Sequence, residues 1–276
     1  MNLYHEWIFD NHTSYIIHHT LSIITAYIKH WFTSKPRGGF GIHSPFVYRF
    51  VTDVIECKHQ YYAYLDVERF RRAWLSDKME IDFTDYGTRP SGKRKICDIA
   101  KTSLKSKDLA QLIYRIALSN HSHNILELGT SLGITTMYLA LTDSKARVVS
   151  LEGCQAVANC AISALNLRGI KNVEIVTGNI DNTIKGVVST FDSLDFVLFD
   201  ANHRKEPTLS YFKECLSKVH DNTIFVFDDI NHSDEMREAW AEICGNEKVR
   251  VTIDIFHLGI VFFNKKLKKE HYKIRY

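Results

Sequence analysis

From about Ile96 onward, short apolar runs rich in branched and aromatic residues alternate with amphipathic stretches, and few folds satisfy that rhythm. It predicts helix Leu104 to Leu118, strand Asn124 to Leu128, helix Gly133 to Leu141, strand Arg147 to Leu151 and helix Cys154 to Leu167. Strand Val173 to Val176, a helical stretch near 181–188, strand Asp195 to Phe199, helix Pro207 to Val219 and strand Thr223 to Phe227 follow. Strands separated by helices must run parallel, in an α/β sheet covered on both faces. The end differs: after helix Ser233 to Cys244, only Phe256 and His257 separate runs Val249 to Ile255 and Leu258 to Phe263, which predicts an antiparallel hairpin. The basic tail from Lys265 to Tyr276 is expected to be a solvated edge.

Residues 1–95 read as a separate, mostly helical addition to a domain spanning 96–276. Ile16, Ile17, Leu21, Ile24 and Ile28 recur at near-helical spacing, as in an amphipathic helix that docks on protein. The stretch from Tyr15 to Phe32 is interrupted by His18, His19, Lys29 and His30, so no transmembrane segment is expected. One Pro and three Gly in Ser34–Gly41 end the helix, and Ser44 before Pro45 predicts a capped second one through about Cys57. A further helix from Leu65 to about Lys78, a strand from Met79 to Thr84 and a turn at Asp85–Gly87 complete the addition, whose expected role is a lid, a cap or a homodimer surface.

Bulk composition excludes some functions. Thirty-five Lys and Arg against 32 Asp and Glu leave a formal charge of +3, which gives no electrostatic case for a nucleic acid partner. Six cysteines without a CxxC pair exclude a zinc ribbon and suit a reduced, cytoplasmic setting. The N-terminus carries Glu6 and Asp10 where an export signal would be basic and then apolar.

In an open parallel sheet, ligands bind beyond the carboxyl ends of the strands, and there the informative residues cluster. Glu127-Leu-Gly129-Thr-Ser131-Leu-Gly133 follows the first strand, and Glu152 ends the second, placed to accept both hydroxyls of a ribose. A dinucleotide fingerprint spaced from Gly129 needs Gly at 131 and Gly or Ala at 134, where the chain has Ser131 and Ile134. That disfavours an NAD-type oxidoreductase, and acidic Glu127 suits a cationic ligand over a phosphate. The fourth strand runs into Asp200-Ala-Asn-His203-Arg204 and the fifth into Asp228-Asp229. Three converging carboxylates repel one another unless a cation, a proton or a hydrogen-bond network relieves them, and a hard divalent ion such as Mg²⁺ is the economical choice.

The segment Ile125–Ala140, ILELGTSLGITTMYLA, closely resembles motif I of the class I S-adenosylmethionine-dependent methyltransferases. The resemblance extends to Glu152, to the Gly178-Asn179 turn and to the terminal hairpin. It implies a Rossmann-like, seven-stranded, mostly parallel sheet ending in an antiparallel strand, and S-adenosylmethionine as cofactor. It assigns Glu127, Gly129, Ser131, Gly133, Thr135, Glu152, Gly178, Asn179 and Asp200 to the cofactor. The layout after strands four and five is similar to the catechol and caffeoyl-CoA type O-methyltransferases. By that resemblance Asp200, Asp228 and Asp229 are metal ligands, with Asp229 standing where the family has Asn, and Asp200 and His203 are catalytic, with His203 where the family has a Lys base. The GIHSPF entry, Asp85-Tyr-Gly87 and the C-terminal FHLGIVFF also resemble a group of uncharacterised bacterial methyltransferases. O-methylation of a small-molecule acceptor is the expectation, and a catalytically silent binding or assembly module is the alternative.

Overall fold

The computed structural model describes residues 20–84 and 91–276. Ile16, Ile17 and the turn expected at Asp85–Gly87 lie outside the described residues. The first described element is helix α1 (20–33), which leaves Leu21, Ile24, Tyr27, Ile28, Trp31 and Phe32 exposed. It is anchored at its end by His30, whose Nε2 lies 3.1 Å from Oδ1 of Asp254 in a buried contact. Gly38, Gly39 and Gly41, all at positive φ, turn the chain toward helix α2 (Pro45–Phe50). Ser44 caps α2 and Pro45 fills its first turn, as the sequence predicts. The chain tightens into a π-helical turn at Val51–Ile55 before α3 (Tyr62–Ser76). A small antiparallel hairpin, β1 (Glu80–Phe83) with β2 (Gly92–Lys95), then leads into α4 (Ile96–Ser103), which the sequence reading did not foresee. β1 is the strand expected from Met79 to Thr84 in a mostly helical region.

The next helix, α5 (Lys107–Ser119), starts later than the expected Leu104, because Ser106 caps it by accepting from the Leu109 amide at 3.4 Å. Leu104 and Lys105 are left in an extended connection. Then strand and helix alternate: β3 (Asn124–Leu128), α6 (Ile134–Ala140), β4 (Arg147–Glu152), α7 (Gln155–Arg168), β5 (Val173–Thr177), α8 (Ile180–Ser189), β6 (Phe196–Phe199), α9 (Lys205–Cys215), β7 (Ile224–Asp228) and α10 (Asp234–Gly245). The chain closes with β8 (Val251–Asp254), β9 (Leu258–Phe262) and β10 (Glu270–Lys273).

The main sheet has the order β10-β8-β9-β7-β6-β3-β4-β5, with β9 antiparallel to both neighbours. It has eight strands where seven were expected. The added one, β10, comes from the basic tail, which is therefore structural and not a solvated edge: Tyr272 and Ile274 are buried while Lys273 between them is exposed.

Alternate residues of the central strands enter opposite cores. Ile125, Val148, Phe196 and Val226 pack with α5 and α6 on one face, while Leu126, Val149, Val197 and Phe227 pack with α8, α9 and α10 on the other. The first core also takes in Ile42, Val47 and Phe50, so the segment around α2 packs directly on the sheet face, with Phe46 and Phe50 edge-on to Phe262 at 5.0 and 4.9 Å. No helix among the described residues is long and apolar enough to cross a membrane.

Buried Arg115 on α5 binds this N-terminal segment to the sheet domain. It donates to the carbonyls of Val54 at 2.8 Å and Ile55 at 3.1 Å, and to the Tyr64 hydroxyl at 3.2 Å. These two carbonyls belong to the π-helical turn and face protein instead of water. Arg115→Met should fill the space yet strand both acceptors, lowering stability by about 3 kcal/mol; a denaturant titration within about 0.5 kcal/mol of wild type would show that the guanidinium does not hold the two parts together.

Candidate active site

Strand register decides which side chains meet. Leu128 of β3 pairs with Phe199 of β6, and Phe199 with Phe227 of β7, so Asp200 and Asp228 end neighbouring strands side by side. On the other flank Leu128 pairs with Leu151, which sets Glu152 at the tip of β4. The strand ends open into one crevice of about 850 Å³. Gly129, Ser131, Glu152, Cys154 and Asn179 line it from the β3–β5 side, and Lys105, Asp200, His203, Asp228, Asp229 and His232 from the β6–β7 side.

The turn after β3 is built for close backbone approach. Gly129 has φ +103°, and a Cβ there would stand 2.2 Å from the carbonyl oxygen of Asp200, so no side chain fits. Gly133, also left-handed, opens α6 and faces Ala161 at 3.0 Å from its would-be Cβ. Glu152 organises the turn from across the crevice: Oε2 accepts from the Ser131 amide at 2.8 Å and Oε1 from the Cys154 amide at 2.9 Å. Ser131 Oγ is buried with no hydrogen-bond partner, an unmet polar group on the crevice wall. Asn179 caps α8 by accepting from the Asp181 amide at 3.0 Å, and Gly178 donates to the Glu152 carbonyl at 2.9 Å. Trp74 of α3 braces the turn from outside, its Nε1 donating to Leu132 O at 3.0 Å.

Glu127, Gly133, Thr135 and Gly178 do not line the crevice. Glu127 is 0% exposed and lies beneath the turn, accepting from Thr136 Oγ1 at 2.5 Å and Ser150 Oγ at 2.6 Å, with its other oxygen unpartnered. It supports the floor of the turn, sealed from the crevice. Thr135 is buried within α6. Gly133 and Gly178 act through backbone shape.

Asp200 and Asp228 were mapped with Asp229 as metal ligands. The oxygens of Asp200 and Asp228 do converge, and the third member of the cluster is His203, all three ligand atoms lying within 4.8 Å of one another, with Asp229 outside it. A fourth group is in that cluster, however. Lys105 Nζ lies 3.0 Å from Asp200 Oδ1 and also pairs with Asp228 Oδ2. Burial by itself pulls the Lys105 pKa down, but Asp200 and Asp228 outweigh it and raise it well above the ordinary value, so the ammonium persists at any working pH. Asp200, largely shielded, is pushed up by burial and by Asp228, while Lys105 holds Asp228 below the usual carboxylate range despite its own burial. The backbone of Lys105 is fixed as well: Arg71 of α3 donates to its carbonyl at 2.5 Å and is itself paired with Glu68 at 2.8 Å.

His203 returns to the cluster through a tight turn in which Asn202 and His203 both take positive φ, 68° and 28°, a conformation that costs energy in a non-glycine residue. Its Nε2 comes within 3.7 Å of Asp200 Oδ1. Burial lowers its pKa below the usual histidine value.

Residues 126–230 match a family model described as a methyltransferase domain. Many solved structures share the fold, and three illustrate it. A methyltransferase from Podospora anserina bound to S-adenosylhomocysteine is 15% identical with a TM-score of 0.56, over 81% of this chain and 97% of that one. An O-methyltransferase from Bacillus cereus, also with S-adenosylhomocysteine, is 19% identical with a TM-score of 0.54, over 79% and 97%. The O-methyltransferase of tomaymycin synthesis from Streptomyces achromogenes, in complex with S-adenosylmethionine, is 19% identical with a TM-score of 0.52, over 59% and 82%. A search of curated protein sequences gives no match.

Burial raises Glu127 from an ordinary 4.5 to about 7. A carboxyl held up in the folded state favours folding below its unfolded pKa, and that contribution is lost as pH rises toward the folded value. Glu127→Gln keeps the shape without the charge, so its melting temperature should gain on wild type between pH 4.5 and about 7 and hold a constant lead above; parallel melting curves across that range would refute the buried ionisation.

Proposed function

We propose that this chain, with a methyltransferase domain at residues 126–230 on a class I methyltransferase fold, methylates the hydroxyl oxygen of a small molecule with S-adenosylmethionine as donor. One observation carries the reading: Glu152, beside a glycine turn no Cβ can enter, opens into the same crevice as Asp200 and His203. The residues suit the cofactor. Glu152 takes the ribose hydroxyls, the Gly129 turn lets the backbone approach, and Ser131 Oγ meets its unmet hydrogen bond.

The cofactor supplies a methyl group already activated on a sulfonium, which passes to the acceptor oxygen as the carbon–sulfur bond breaks and leaves the thioether. The protein aligns the acceptor with that methyl, accepts its proton and excludes water. His203 is the proton acceptor. Its lowered pKa keeps the imidazole neutral at pH 7, with Nε2 available beside the strand tip. The N-terminal region contributes cover and support: Trp74 braces the glycine turn and Arg71 fixes the Lys105 carbonyl.

Calorimetry with S-adenosylhomocysteine should show binding, absent with NAD, and Glu152→Ala should weaken it by about 1 to 3 kcal/mol; a wild-type protein that binds neither ligand ends this reading. Acceptors can be found as masses in cell extract that gain one methyl group. With such an acceptor, His203→Ala should slow transfer by about 10² to 10⁴ while cofactor affinity holds. The wild-type rate should fall only on acidifying below pH 6.5, because the base is lost when His203 takes up a proton at its lowered pKa.

A further inference from the structure

We propose that the Lys105 ammonium is the resident cation of the Asp200–Asp228 cluster, taking the place of a divalent metal, so that this enzyme works metal-free. The inference rests on the methyltransferase reading only for the word enzyme; the occupancy of the cluster stands apart from it.

Asp228, buried, and Asp200, largely shielded, sit on neighbouring strand tips with Asp229 next in the chain, and positive charge close by offsets their repulsion. Lys105 supplies it. Its Nζ touches one oxygen of each aspartate, in the space that a metal held by Asp200, His203 and Asp228 would occupy. An ion entering there would have to expel the ammonium, break both contacts and then bear like-charge repulsion from the displaced side chain. The lysine is not a long surface side chain that has fallen in by chance. Its carbonyl is held by Arg71, Arg71 is held by Glu68, and Glu68 accepts from the Tyr138 hydroxyl at 3.0 Å, so α3 and α6 fix the backbone from which it reaches. Ser106, the next residue, is fixed as the cap of α5. A short, twice-anchored connection between α4 and α5 thus delivers one positive charge to the strand tips.

A lysine also differs from a metal in what it offers. It is a compact charge with three donors, two of them taken by Asp200 and Asp228, and it has no open coordination positions.

Manganese binding to the full-length protein, read by electron paramagnetic resonance, tests the proposal without an acceptor. Wild type should take up no stoichiometric Mn²⁺ at concentrations up to about 1 mM, the weak end of oxygen-ligand sites. Lys105→Ala should open the cluster and bind one Mn²⁺ at least about tenfold more tightly, and adding Asp228→Asn should abolish the gain. Lys105→Met, which keeps the stem's bulk without its charge, is the second variant should the alanine protein not fold. One Mn²⁺ per wild-type chain, lost in Asp228→Asn, would overturn the proposal, and so would a folded Lys105 variant that binds no better than wild type. If neither variant folds, the wild-type titration alone decides. Calorimetry with S-adenosylhomocysteine on the same samples separates the two claims: absent cofactor binding removes the methyltransferase reading and leaves the manganese result standing.

Discussion

Asp200 and Asp228 end adjacent parallel strands, and in-register pairing gives them no freedom to move apart. Asp228 is buried and Asp200 largely shielded, so water screens them poorly, and a positive charge within contact distance offsets their repulsion. Lys105 supplies that charge from the connection before α5. The position of α3, which fixes the lysine's carbonyl through Arg71, is thereby tied to the electrostatics of the strand tips. The N-terminal region and the sheet domain form one electrostatic unit at the crevice as well as one apolar core.

The two flanks of the crevice use carboxylates in opposite ways. Glu152 is partly exposed at the crevice, where its oxygens accept from the Ser131 and Cys154 amides. Glu127, two residues before the glycine turn, is sealed under it and spends its bonds on Thr136 and Ser150. The same chemical group opens to the crevice in one place and is sealed beneath the turn in the other, and solvent access makes the difference.

Much of this was legible in the residues. Continuous apolar runs in β3, β4, β6 and β7, buried on both faces, with helical spacing between them, forced a parallel sheet, and Ser44-Pro45 marked the start of α2. The glycine turn, Glu152 and the acidic strand ends were found because each lies immediately after a strand, where local sequence and site coincide. The basic tail was misread because lysines alternate with single apolar residues there, and only the sheet edge beside β8 shows that Tyr272 and Ile274 are buried. The expected helix Leu104 to Leu118 includes Lys105 and gives it no role in the site. Lys105 is 95 residues from Asp200 in the chain, and nothing local announces that pairing.

The sequence by itself determined the strand and helix alternation, the glycine turn and the acidic strand tips, because backbone conformation and amphipathic period are short-range properties. Only the tertiary structure decided which carboxylates face ligand, which are sealed, and what neutralises them. Those outcomes depend on burial and on charges brought together across the chain, and Coulomb energy follows distance in space, not separation in sequence.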